Sequence, residues 1–140
     1  MKTVSDVLQK KGCDVHSTSR TTTVMAAART MNEQHIGALV VTDGEHVVGI
    51  FTERDVLNRI VAAGRDPNKT TVADVMTSSV ACCTSATAVD ECRRVMREKR
   101  IRHLPVVDDG RLRGMVSIGD LNEYEIVEQD ETIRYLNEYL

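Results

Sequence analysis

The chain of 140 residues carries 18 Lys and Arg against 21 Asp and Glu, for a formal charge of −3, and 41% of it is apolar. That length fits one domain, or two halves sharing a core, and the faint acidity offers no electrostatic footprint for a nucleic-acid backbone. No apolar run nears the roughly eighteen residues of a membrane span, and with one Phe, three Tyr and no Trp the core must rest on Val, Ile, Leu, Met and Ala.

The chain opens on Met-Lys-Thr-Val-Ser-Asp-Val, which lacks the apolar stretch of a secretory signal, and a short leading helix is expected over Val4–Leu8. Residues 24–35 are rich in helix formers, with Val24, Ala27, Ala28 and Met31 on one face and Thr22 or Thr23 as the cap. Ile36–Thr42 and Val47–Thr52 read as strands flanking Asp43-Gly44-Glu45-His46, a hairpin connection. Glu53–Ala63 is a second helix, stopped by Gly64, with Val56, Leu57, Ile60 and Val61 apolar. Arg65–Thr71, broken by Pro67, is the linker.

After the linker the pattern returns. Val72-Ala-Asp-Val-Met76 echoes Val4-Ser-Asp-Val-Leu8 as a leading helix. Residues 88–100 place Val89, Cys92, Val95 and Met96 on one face and Arg93, Arg94, Arg97 and Lys99 outside, behind a near capping box at Thr87-Ala-Val-Asp90. Arg102–Val107 and Leu112–Ser117 flank Asp108-Asp109-Gly110-Arg111, and Pro105 marks the first of these as an edge strand or a bulge. A helix follows from near Gly119 through Leu121, Ile126 and Val127. Glu128–Leu140 has Ile133, Leu136 and Leu140 at helical spacing, as a closing helix packed on the module or on a partner.

Sliding Thr22–Leu57 onto Thr87–Asn122 gives eleven identities in 36 pairs, among them Thr22/Thr87, Met31/Met96, Ile36/Ile101, Gly49/Gly114 and Asp55/Asp120. Two copies cannot make a stacked array, so the duplication predicts an α+β fold of two repeats related by a pseudo-twofold axis. The boundaries expected are 1–66, 67–127 and a terminal segment 128–140.

The repeated element at the centre of each copy is Gly49-Ile-Phe-Thr-Glu-Arg-Asp55 and Gly114-Met-Val-Ser-Ile-Gly-Asp120. A hydroxyl and a carboxylate three apart at a strand-to-helix junction suit phosphate and ribose: free amides and the positive helix end attract an anion, and the carboxylate accepts from vicinal hydroxyls. The same Thr-x-x-Asp and Ser-x-x-Asp spacing also serves as a capping box. Capping explains hydroxyl and carboxylate but leaves the glycine three places earlier without a reason, whereas close approach of a base or of backbone supplies one. Elsewhere the signals are thin. His16, His35, His46 and His103 are scattered, and Cys13, Cys82, Cys83 and Cys92 show no chelating spacing. The basic run Arg93–Arg102 reads as a solvated helix face, and no catalytic base, nucleophile elbow or Walker loop accompanies the motif.

The paired Gly-h-h-(Ser/Thr)-x-x-Asp motifs, the Arg102-His-Leu-Pro-Val106 segment and the element order closely resemble the cystathionine beta-synthase (CBS) domain, over about Val4 to Val127. A tandem pair of such domains is called a Bateman module, and the resemblance implies two β-α-β-β-α repeats with ligands in the cleft between them. Carried over by position, one site would comprise Met115, Val116, Ser117 and Asp120, with Thr22, Ala27, Ile36 and Gly37 opposite. The other would comprise Ile50, Phe51, Thr52, Arg54 and Asp55, with Thr87, Cys92, Ile101, Arg102 and His103 opposite. Ile36 and Ile101 would cover an adenine face. Arg54, Arg102 and His103 would neutralise phosphate, making the Asp55 site the stronger phosphate binder.

The function expected is a regulatory module binding AMP, ADP, ATP or NAD(H), with S-adenosylmethionine also open, and with no catalytic cofactor. The rival readings are an adaptor with empty sites and a small nucleotide-processing enzyme. A cytoplasmic homodimer is expected, pairing through Ile60, Val61, Ile126 and Val127 and reporting to a regulated protein in trans, with no nucleic-acid or membrane partner.

Overall fold

The computed structural model describes residues 2–125. Ile126, Val127 and the 128–140 segment lie outside the described residues. In chain order the elements are α1 (Val4–Lys11), β1 (Ser17–Thr18), α2 (Val24–Gln34), β2 (Ala38–Asp43), β3 (His46–Thr52), α3 (Glu53–Asp55, continuing as a π-helix over Val56–Val61), α4 (Val72–Val75), α5 (Val89–Lys99), β4 (His103–Asp108) and β5 (Arg111–Ser117). Residues 118–125, here α6, are helical.

By their contacts these elements form two compact units that do not follow chain order. The first holds Asp14–Ala81 with Asp109–Leu112; the second holds, of the described residues, 2–13, Cys82–Asp108 and 113–125. The leading helices are therefore exchanged between the copies. In the first unit α4 is stitched to the start of α2, with Val24 N–H donating to the Thr70 carbonyl (2.9 Å) and Val72 N–H to the Thr22 carbonyl (2.8 Å). In the second, α1 meets the start of α5 in the same way, through Val4 N–H to the Thr87 carbonyl (2.9 Å) and Val89 N–H to the Lys2 carbonyl (3.0 Å). Cutting the chain at 66 and 67 separates the sequence copies, whereas the packed bodies each borrow a helix from the other.

In the first unit β2 pairs antiparallel with β3, and β1 runs parallel to β2 on its other side. The hairpin turns through Gly44 at φ 62°, in the left-handed region that glycine enters without penalty. α2 is capped by Thr23, whose hydroxyl accepts from Ala26 N–H (3.2 Å), and it ends on His35 in the left-handed conformation. Val24, Ala27 and Met31 from α2 close over Leu39, Val41 and Phe51, with Ile60, Val72 and Val75 completing the core.

The helix expected over Glu53–Ala63 winds as a π-helix after Asp55, seen in the Ala62 N–H bond to the Leu57 carbonyl (2.9 Å). Its apolar positions divide. Ile60 is 3% exposed and belongs to the core, so the expected subunit contact at Ile60 is corrected, while Leu57 and Val61 are 59% and 67% exposed.

The second unit repeats the plan. β4 pairs with β5, and a lone parallel bridge from Cys83 to Val106 stands where β1 stands in the first. Pro105 lies within β4, and its carbonyl accepts from Cys83 N–H (2.9 Å), so its missing donor faces the thinly paired edge as expected of an edge-strand proline. Arg93, expected outside, is half-buried: it donates to Asn122 Oδ1 (3.1 Å) and pairs with Glu125 (3.1 Å), tying α5 to α6. Arg94 stays on the solvated face between Glu91 and Glu98.

Candidate functional site

Each strand-to-helix junction is closed by its own side chains. At the first, Thr52 N–H donates to Asp55 Oδ2 (2.9 Å) and Asp55 N–H to Thr52 Oγ1 (3.3 Å). At the second, Ser117 N–H donates to Asp120 Oδ2 (2.8 Å) and Asp120 N–H to Ser117 Oγ (3.0 Å). This is a reciprocal capping box in both copies. The same box closes the two leading helices, where Thr3 N–H donates to Asp6 Oδ2 (2.9 Å) and Thr71 N–H to Asp74 Oδ2 (3.1 Å). At Asp74 the backbone and side-chain hydrogen bonds from Thr71 hold the carboxyl below its ordinary value.

Three sequence-based expectations are corrected here. First, several of the amides at the helix starts are already engaged: besides the capped ones, Glu53 N–H donates to the Gly37 carbonyl (3.0 Å) and Ile118 N–H to the Arg102 carbonyl (2.9 Å). Second, the glycines make room for protein. A Cβ on Gly49 would lie 2.5 Å from Met76 Sδ, and one on Gly114 would lie 3.2 Å from Leu8 Cδ2. Met76 and Leu8 are the matching residues of the two leading helices, so the glycine repeated with the motif because the helix facing it repeated. Third, Ala27, Phe51, Cys92 and Val116 are at most 1% exposed, so their side chains pack the core and line no open surface.

The remaining candidates sit as follows. Thr22 is half-buried, with its hydroxyl 3.1 Å from Ser19 Oγ, and Ile50 is 9% exposed in β3. Ile36 and Gly37 line a hollow of about 470 Å³ with Met31, His35, Glu53 and Val56. Thr87 Oγ1 accepts from Thr84 N–H (2.9 Å), Ile101 and His103 are half-buried, and Arg54 and Arg102 are exposed. The main-chain bonds bring Gly37 to the Asp55 junction and Arg102 to the Asp120 junction, each within its own unit. Sequence position had paired them the other way.

Two cations stand at the junctions that no local sequence pattern marks. Lys11, the last residue of α1, donates from Nζ to Asp120 Oδ2 (2.6 Å) and to the Met115 carbonyl (2.7 Å). Arg59 Nε lies 3.8 Å from Asp55 Oδ1, while its Nη1 donates to the Val75 and Met76 carbonyls (2.8 and 3.1 Å). Lys11 thus lies closer to Asp120 than Arg59 does to Asp55. Among the described residues no cluster of three or more His, Cys, Asp or Glu side chains is arranged to hold a metal ion.

A five-element β-α-β-β-α plan, repeated in one chain with a capped (Ser/Thr)-x-x-Asp junction in each copy, defines a tandem-repeat module. The CBS domain model matches residues 4–62 and 72–126, and the chain belongs to the CBS domain family as a tandem pair. It is 36% identical, over 99% of its own length and 71% of the relative's, to a mitochondrial CBS domain-containing protein of Arabidopsis thaliana. Over 71% of its length it is 35% identical to hypoxic response protein 1 of Mycobacterium tuberculosis, covering 70% of that protein. A solved CBS-domain protein of Burkholderia ambifaria superposes with a TM-score of 0.88 at 39% identity, covering 91% of this chain and 96% of that one. One from Agrobacterium tumefaciens gives 0.84 at 37%, covering 89% and 99%.

Proposed function

We propose that this CBS pair is a regulatory module whose ligand is an adenine nucleotide of the AMP, ATP or NADH kind, bound without being transformed. The carboxylate at each junction is assigned to the ribose diol, and Ile36 and Ile101 to the adenine. The observation that supports it best is the polar cluster at the second junction, where a half-buried carboxylate at Asp120 stands beside an ammonium at Lys11. That is the pair of charges a nucleoside phosphate requires. Regulation is in keeping with the Burkholderia neighbour, which is provisionally designated a signal-transduction protein. Calorimetric titration of the purified chain with AMP, ATP and NADH tests this reading. Saturable heat with the nucleotide recovered unchanged supports it, recovered product would mean an enzyme, and no heat with any of the three would sink it.

One observation favours the adaptor reading. The four capping boxes share a geometry, and two of them close leading helices to which no ligand was assigned. An adaptor would show no heat yet still self-associate.

The homodimer belongs to the proposal as well, now through Leu57 and Val61, which stand exposed four residues apart on one helix. Substituting both with lysine should lower the sedimentation mass to that of one chain if this face pairs. Among the described residues no helix is long and apolar enough to cross a membrane. A cytoplasmic setting remains part of the proposal beside a relative that is mitochondrial, and fractionation of the source cells distinguishes the two.

A further inference from the structure

We infer that Lys11 is the specificity-determining latch of the Asp120 junction, admitting nucleoside phosphates in preference to nucleosides and freeing the end of α1 when it yields. This rests on the nucleotide reading above. In each unit the motif carboxylate is linked through one cation to the end of a leading helix: Asp55 through Arg59 to the last carbonyls of α4, and Asp120 through Lys11 to α1 itself. The second link is the shorter, at 2.6 Å against 3.8 Å.

A carboxylate oxygen has two in-plane acceptor positions. At Asp120 Oδ2 the Ser117 amide (2.8 Å) and the Lys11 ammonium (2.6 Å) take both. A vicinal diol that spans the carboxylate needs a place on each oxygen, so one of those donors must leave. The Ser117 amide is held in the helix start. Lys11 sits on a flexible stem with its side chain 32% exposed, so Lys11 moves.

A displaced ammonium loses its carboxylate and is compensated only by an anion on the incoming ligand. A phosphate supplies that anion and a bare nucleoside does not. In leaving, the ammonium also releases the Met115 carbonyl, and with it one hydrogen bond between α1 and β5. Arg59 cannot act in this way, because it shares a helix with Asp55 and is already committed to α4.

AMP and adenosine titrated calorimetrically into the full chain, wild type and Lys11→Met, test the latch. The wild type is expected to prefer AMP, and the preference to shrink roughly tenfold in Lys11→Met, with Lys11→Arg restoring most of it. An equal preference in wild type and Lys11→Met overturns the inference while leaving the nucleotide reading intact. No heat from either compound in the wild type defeats both. Amide hydrogen exchange supplies the second readout. AMP should speed exchange in the last turn of α1, including Gly12 N–H on the Leu8 carbonyl (2.7 Å), and leave α5 unchanged. AMP binding without that change also overturns the latch.

Discussion

Met76 occupies the space that Gly49 leaves open: a Cβ on Gly49 would fall 2.5 Å from Met76 Sδ and 3.0 Å from the Thr77 carbonyl oxygen. Thr77 is fixed there by a two-way bridge to Ile50, with N–H to carbonyl distances of 2.9 and 3.0 Å, so the backbone side of the clash cannot retreat. Gly49→Ala should therefore destabilise by about 1–3 kcal/mol, the usual range for overpacking a tight core. The tightest neighbour of a Cβ on Gly114 is a Leu8 methyl at 3.2 Å, at the end of a flexible side chain, with the Cys13 carbonyl oxygen farther off at 3.7 Å, so Gly114→Ala should fall below that range. Urea denaturation of the two variants checks the order. Equal midpoints would mean that the leading helices do not pack against the glycines.

The second prediction concerns the caps. Asp55 is 8% exposed and accepts the Thr52 amide, so Asp55→Ala removes a cap and leaves a half-buried donor without its acceptor. The loss should be about 1–2 kcal/mol. Asp55→Asn retains an acceptor oxygen and should lose less. If Asp55→Ala lowered nucleotide affinity while leaving the urea midpoint unchanged, the cap would have no energetic role, contrary to its geometry.

The repeat, the hairpins and the helix faces were legible in the sequence because they depend on neighbours a few residues apart. Val24, Ala27 and Met31 share a face at helical spacing, and all three are core. What escaped depends on distant segments. Lys11 reaches Asp120 across 109 positions, and nothing local to either residue signals the pair. The glycines were legible as places of close approach, but the approaching body could not be named, since it belongs to the other copy's leading helix. Val56, Leu57, Ile60 and Val61 formed one apolar stripe on paper, and only the folded chain shows Ile60 turned inward with Leu57 and Val61 outward. The hydroxyl and carboxylate of the motif were legible in two ways, and the structure shows the capping role directly.

The third prediction is an acid dependence centred on Asp108. Its carboxyl is held below the ordinary value first by the Ser85 amide, which donates to Oδ1 (3.0 Å), then by the Ser85 side chain, with Arg113 adding attraction. A carboxyl depressed on folding binds its proton more weakly in the folded chain than in the unfolded one. Its stabilisation is therefore present above about pH 4 and is lost as pH falls through the folded value. Thermal midpoints measured from pH 6 down to pH 3 should decline less steeply for Asp108→Asn than for the wild type. Parallel curves would show that the Ser85 contact does not discriminate between the charged and neutral forms.

The last prediction separates the four cysteines by reactivity. Cys13 and Cys82 are exposed, whereas Cys83 is 8% and Cys92 0% exposed. Burial raises the Cys82 thiol above its ordinary value, so less of it is thiolate at neutral pH and it should react more slowly than Cys13. Cys83 is held up further by the neighbouring Cys92 thiol and by its burial. An aromatic disulfide reagent at pH 7 should thus titrate two thiols in the native chain, one fast and one slow, and the other two only after denaturation. Cys82→Ser should delete the slow native phase and leave the fast one. Four thiols reacting without denaturant would show that α5 lifts readily from the Cys83 edge, and that the second unit is less tightly closed than its packing implies.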